Sequence, residues 1–78
     1  MNNWILIKKN KVREIYNKTG THKILIIDKT LTFNWLVSIG ISSNLKQVES
    51  SYRGAKLLGH WRYYSTAKKN ALLYMKRY

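Results

Sequence analysis

Three carboxylates stand against fifteen Lys and Arg in 78 residues, a formal net charge of +12. A compact body this basic repels itself and draws polyanions. The fold must therefore turn its cations outward, and the first partner to expect is nucleic acid, with an anionic membrane second. A surface built only for solubility would carry both signs. So short a chain buries a marginal core. It has no cysteine, so neither a disulfide nor a thiolate metal site reinforces that core. A partner that binds only the folded form would add stability.

Residues 4–7 are too short an apolar run for a signal peptide, and no small-residue cleavage site comes after them. The longest uncharged run, 30–45, falls short of a membrane span and is broken by Asn34, Ser38 and Ser42. A soluble chain with no membrane partner is expected. Asn, Lys, Ile and Tyr are abundant, and their AT-rich codons hint at an organellar genome.

Along the chain, 4–7 reads as an edge strand or the start of a helix. Lys8, Lys9 and Lys11 form a basic turn, either solvated or touching phosphate. Val12, Ile15 and Tyr16 share one face of a short helix over 12–16. Residues 17–21 form a turn in which Gly20 supplies left-handed backbone and Thr21 can cap the next element. Backbone N–H groups there could hold a phosphate, but the spacing is not that of a nucleotide-binding loop. Residues 22–31 favour strand by propensity through Ile24, Ile26 and Ile27. They also fit a helix burying Ile24, Ile27 and Leu31, and a family resemblance carried by other residues favours that helix. The most apolar stretch, 31–41, places Phe33, Leu36, Val37 and Ile39 in the core, or Trp35 instead, and Gly40 ends it.

A clearer helix begins at Asn44, which has capping-box spacing with Gln47. Leu45, Val48 and Tyr52 form its apolar stripe, Lys46 and Arg53 lie off it, and Gly54 stops it. Beyond, Leu57 and Leu58 anchor back on the core. The run His60, Trp61, Arg62, Tyr63, Tyr64, Lys68, Lys69, Asn70, Lys76 and Arg77 mixes bases and rings. Cations neutralise phosphates and aromatic planes stack on unpaired bases, so this stretch reads as an RNA contact. The competing reading is an amphipathic C-terminal helix with Trp61, Tyr64, Leu72 and Met75 packed down.

No catalytic constellation is visible. Glu14, Asp28 and Glu49 are far apart in sequence, and no nucleophile motif appears. His22 or His60 could serve as the base of an RNA-cleaving toxin, but nothing in the spacing selects that role. Two histidines without cysteine do not make a metal site. The expectation is a non-enzyme with no cofactor and no metal.

Asn44-Leu45-Lys46-Gln47-Val48 followed by Ser51-Tyr52-Arg53-Gly54 resembles the segment before the tail of the small-subunit ribosomal protein S-thirteen family. There, a helix of the type Asn-Ile-Lys-Arg-Leu leads into Ser-Tyr-Arg-Gly. Lys69-Asn70-Ala71 resembles the Thr-Asn-Ala-Arg block of that tail. Upstream, Lys8 to Val12 resembles its Pro-x-x-Lys-x-Val stretch, and Ile15-Tyr16 with Gly20 its Ile-Tyr-Gly-x-Gly turn. The chain departs from the family in a reduced centre and in Leu58 to Tyr63, which replace Gly-Leu-Pro-Val-Arg-Gly.

The resemblance implies a mostly α fold: a small helix–two-turn–helix RNA-binding domain over 1–58, with an extended basic C-terminal extension over 59–78. It implies a structural constituent of the small-subunit head, in a reduced mitochondrial version, placed in the organellar matrix or otherwise in the cytoplasm. Its partners would be small-subunit ribosomal RNA, neighbouring proteins including S-nineteen, and transfer RNA at the peptidyl site. Lys46, Tyr52, Arg53 and Gly54 would lie at the RNA-facing helix end, and Lys69 and Asn70 in the tail. The basic aromatic pattern adds Lys56, His60, Trp61, Arg62 and Lys68. Two rival functions remain. One is a leaderless cationic membrane-active antimicrobial peptide, which needs a long amphipathic helix. The other is a small duplex-DNA regulator with 44–54 as its recognition helix.

Overall fold

The computed structural model describes residues 3–32 and 34–78, the side chain of Ala55 excepted. Five strands lie side by side in chain order as one antiparallel sheet: β1 (Trp4–Lys9), β2 (Arg13–Lys18), β3 (Lys23–Lys29), β4 (Trp35–Ser42) and β5 (Tyr52–Trp61). A 3₁₀ turn (Leu45–Gln47) and the short helix α1 (Val48–Ser51) bridge β4 to β5, and α2 (Tyr64–Arg77) comes after β5.

The mostly α helix–two-turn–helix domain and the extended tail are both overturned. The helices expected over 12–16 and 22–31 are β2 and β3. The physical reason lies in β3, where Ile24, Leu25, Ile26 and Ile27 are all buried. Alternate residues face opposite sides of the sheet, and both sides are covered. An apolar residue is then needed at every position, which erases the period-2 signature. β-branched side chains tip such a run toward strand. The helix expected from Asn44 starts as foreseen, with Asn44 Oδ1 accepting from the Lys46 N–H at 3.0 Å. It ends at Ser51, and Tyr52, Arg53 and Gly54 open β5 instead. The expected boundary after residue 58 falls inside β5. Of the residues foreseen in the core, Val37 is buried and Leu36 and Ile39 are partly so. Phe33 lies outside the described residues.

One face of the sheet carries Trp4, Tyr16, Leu25, Ile27 and Val37, and α2 packs on it through Ala67, Ala71 and Met75. Two alanines one turn apart let the helix backbone sit close to the strands. The opposite face carries Ile15, Ile24 and Ile26, covered by Val48 of α1 with Leu45 and Tyr52 beside it. Gly20 turns β2 into β3 at φ +80°, as a left-handed position requires. Asn17 ties that turn down, its amide donating to the Thr21 and Lys23 carbonyls, each at 2.9 Å.

Gly40 does not end a segment but sits mid-strand in β4, where β5 bulges toward it. A Cβ there would lie 2.2 Å from the Arg53 carbonyl oxygen, whereas one at Gly54 would meet nothing within 4 Å. Gly40→Ala should therefore destabilise the fold by at least about 1–3 kcal/mol and speed hydrogen exchange along β5. Gly54→Ala should stay within about 0.5 kcal/mol in urea unfolding.

Helix and sheet are also joined by a polar clip. The Glu14 carboxylate, only 4% exposed, accepts from the Tyr16 hydroxyl at 2.9 Å, from Lys68 Nζ at 2.8 Å and from the Tyr64 hydroxyl. Burial opposes its ionisation, but the hydrogen bonds from Lys68, Tyr64 and Tyr16 outweigh burial and hold the carboxyl below its ordinary 4.5. A depressed folded-state value stabilises the protein above the unfolded value and loses that contribution as pH falls through the folded one. Unfolding free energy should thus fall below pH 4.5 in the wild type. In Glu14→Gln the acid limb should be flatter, with about 1–3 kcal/mol lost at neutral pH. Urea titrations at pH 7 and pH 3 compare the two directly.

Candidate nucleic-acid interface

Among the described residues every carboxylate is engaged. Arg13 forks onto Asp28 (Nη2 to Oδ2 3.1 Å) and reaches Glu49 at 3.4 Å, while Lys8 pairs with Glu49 at 2.8 Å and Lys68 with Glu14 at 2.8 Å. The register sets where these pairs lie. Arg13 stands opposite Asp28 and Glu14 opposite Ile27, at the end of the sheet that bears the β1–β2 and β3–β4 turns.

The other end is different. Lys18 and Lys23 flank the Gly20 turn, and the cross-strand row continues from Lys23 to Ile41 to Arg53. The next row runs Leu25, Ile39, Lys56. These residues share the helix-bearing face, and Ile41 is 55% exposed between its two cations. α2 finishes at the same end with Lys76 and Arg77 in its last turn. Lys18 Nζ donates to the Tyr78 carbonyl oxygen. Lys23 Nζ sits 5.6 Å from the Tyr74 ring centroid and 5.9 Å from that of Tyr78. Cations around a helix C-terminus complement its dipole, which is part of why they gather here. Among the described residues no Asp or Glu pairs with Lys18, Lys23, Arg53, Lys56, Lys76 or Arg77. Lys18 and Lys23 are half-buried against the end of α2, and the other four are exposed.

The residues foreseen as RNA-binding do not form one surface. Arg53 and Lys56 belong to the acid-free end. Tyr52 packs into the cluster on the opposite face. Gly54 and His60 alternate onto that opposite face too, and Lys46 lies in the 3₁₀ turn that covers it. Trp61 lies against Gly59, where an added Cβ would be 2.6 Å from its ring, and packs on the core beneath α2. Arg62 sits over the Tyr63 ring at 5.8 Å. Lys68 is committed to the clip, and the Asn70 amide donates to the Thr66 carbonyl within its own helix at 2.9 Å. Lys69 is exposed on α2.

Sequence reasoning passed over Lys18, Lys23, Tyr74 and Tyr78. A signal for the lysines existed. Read as a hairpin rather than a helix start, the Gly20 turn brings Lys18 and Lys23 side by side.

Comparison with protein-family models, curated proteins and solved structures finds no match. Among the described residues there is no group of three or more His, Cys, Asp or Glu that could hold a metal ion. No helix among them is long and apolar enough to cross a membrane.

The two adjacent lysines of α2 should separate cleanly. Lys68→Met leaves the buried Glu14 carboxylate with only the Tyr16 and Tyr64 hydroxyls and no countercharge, and should cost about 1–3 kcal/mol of stability. Lys69→Ala touches nothing buried and should stay within about 0.5 kcal/mol. Thermal unfolding monitored by circular dichroism at neutral pH checks both.

Proposed function

We propose that this protein binds RNA through the acid-free end of its helix-bearing face. The observation that carries the reading is the cross-strand row Lys23, Ile41, Arg53, continued by Lys56 on β5 and by Lys76 and Arg77 at the end of α2. Such a row neutralises successive phosphates, and the exposed Tyr78 beside Lys23 offers a plane on which an unpaired base can stack.

RNA with unpaired bases is favoured over duplex DNA. The 44–54 segment foreseen as a recognition helix is a 3₁₀ turn, a four-residue helix and the start of a strand. It has no helix that could lie along a major groove. A long membrane-active helix is likewise missing from the described residues, where α2 spans 14 residues and buries one face on the sheet. Small-subunit ribosomal RNA remains the named candidate because of the residues resembling the S-thirteen family. That assignment rests on those residues alone, since the helical domain the family implies is not the fold of this chain.

Fluorescence anisotropy with a small-subunit ribosomal RNA hairpin and a duplex DNA of equal length tests the reading. The RNA should bind more tightly. Lys23→Ala and Arg53→Ala should each reduce the slope of log affinity against log salt by roughly 0.7–0.9, one phosphate contact apiece. Unchanged slopes and affinities in the double variant would remove this face as the binding surface.

A further inference from the structure

At the opposite end of the molecule a cleft of about 300 Å³ opens between the β1–β2 turn and the start of α2, lined by Lys9, Asn10, Lys11, Arg13, Glu14, Trp35 and Tyr64. Its walls are built rather than incidental. The turn is closed by the Asn10 N–H donating to the Arg13 carbonyl at 2.9 Å and the Val12 N–H donating to Asn10 Oδ1 at 2.9 Å. Trp35 and Tyr64 meet edge to face with ring centroids 4.9 Å apart. The Tyr64 hydroxyl is held by Glu14 and the Arg13 guanidinium by Asp28 and Glu49. The two rings are thus locked in place, and the Arg13 guanidinium is drawn to the opposite face of the sheet by Asp28 and Glu49. Lys9 and Lys11 at the rim are exposed and make no ion pair among the described residues.

We infer that this cleft is a site for a single nucleotide unit, its base against Trp35 and Tyr64 and its phosphate at Lys9 and Lys11. An apolar-walled space with free cations only at its mouth suits a ligand that is aromatic at one end and anionic at the other. The orientation is set by charge. The Glu14 carboxylate in the lining is an acceptor already filled by Lys68, Tyr64 and Tyr16 and offers phosphate no donor, so the phosphate stays with the rim lysines and the base goes inward. The volume is at the small end of ligand sites and admits one base rather than a stack. Stacking on an aromatic wall tolerates any base, since each has a π-face. The site is separate from the Lys23–Arg53 row, so it does not depend on the proposed RNA interface. Its ligand is a free nucleotide or one nucleotide of a strand.

The test is a two-dimensional ¹H–¹⁵N spectrum of the full chain titrated with AMP, adenosine, inorganic phosphate and a short oligoadenylate. AMP should shift the Trp35 indole N–H and the amides of residues 9–13. Adenosine and inorganic phosphate should each bind roughly tenfold more weakly, because each supplies only half of the contacts. Lys9→Ala/Lys11→Ala, at the exposed end of β1 and in the turn after it, should weaken AMP by a similar factor and leave the spectrum otherwise intact. Trp35→Leu should weaken it further. Lys23→Ala/Arg53→Ala should bind AMP as the wild type does. Oligoadenylate shifts at Trp35 would assign the site to a strand, and their absence beside AMP shifts would assign it to a free nucleotide. AMP shifts that match those of inorganic phosphate, or that survive in the Lys9/Lys11 variant, would overturn the inference. If AMP fails while oligoadenylate still depends on Lys23 and Arg53, the cleft falls and the RNA interface stands; the converse separates them the other way.

Discussion

The structure depends on how α2 is held against the sheet. Ala67, Ala71 and Met75 bring the helix down on Leu25, Ile27 and Val37, and Glu14 locks it there by collecting Tyr16, Tyr64 and Lys68. Without the helix, one face of the sheet would be open to water and Trp4 would lose its cover. A buried carboxylate is costly unless its hydrogen bonds are made. Here they are made by two hydroxyls and an ammonium from β2 and α2, so the clip also specifies where along the sheet the helix sits.

That use of Glu14 is part of a wider economy of negative charge. Asp28 and Glu49 converge on Arg13, and Glu49 also takes Lys8, which ties α1 across the opposite face to β1 and β2. All three acids of the chain thus serve as internal ties near one end of the sheet. The remaining cations are left to the surface, and the register gathers Lys18, Lys23 and Arg53 at the far end. Holding the fold together and presenting a positive field are consequences of the same scarcity. The cleft beside Trp35 and Tyr64 lies at the acid end, with the tied Glu14 in its lining and Lys9 and Lys11 exposed at its rim.

Several local features were legible from residues alone. Gly20 is the left-handed turn position and Asn44 is a cap. Leu45, Val48 and Tyr52 do pack together, although a strand rather than a helix carries the last of them. Tyr64, Leu72 and Met75 of the C-terminal segment are packed down on the core, as the competing amphipathic reading held. The class of the fold was misread because β2 and β3 are covered on both faces. Their apolar and polar residues do not alternate as in a half-exposed strand, so spacing could be matched to a helix as readily. The resemblance to a helical ribosomal family then weighted the choice in the wrong direction. Of the residues expected to touch RNA, Arg53 and Lys56 share one face of β5. Tyr52 and Gly54 were grouped with Arg53 as the end of a helix and His60 by the basic aromatic pattern, whereas alternate residues of a strand face opposite ways.

Composition by itself determined that this chain would be a small cationic body without disulfides and that its few acids would be precious. Those are sums over residues and need no geometry. Which cations face outward together, and which ring becomes a wall rather than a core filler, was decided by strand register and by the docking of α2. Lys68 and Lys69 are adjacent and alike in sequence, yet one is a structural tie and the other is exposed. Only the packing of the helix on the sheet distinguishes them, because a side chain's role is set by what lies opposite it in space.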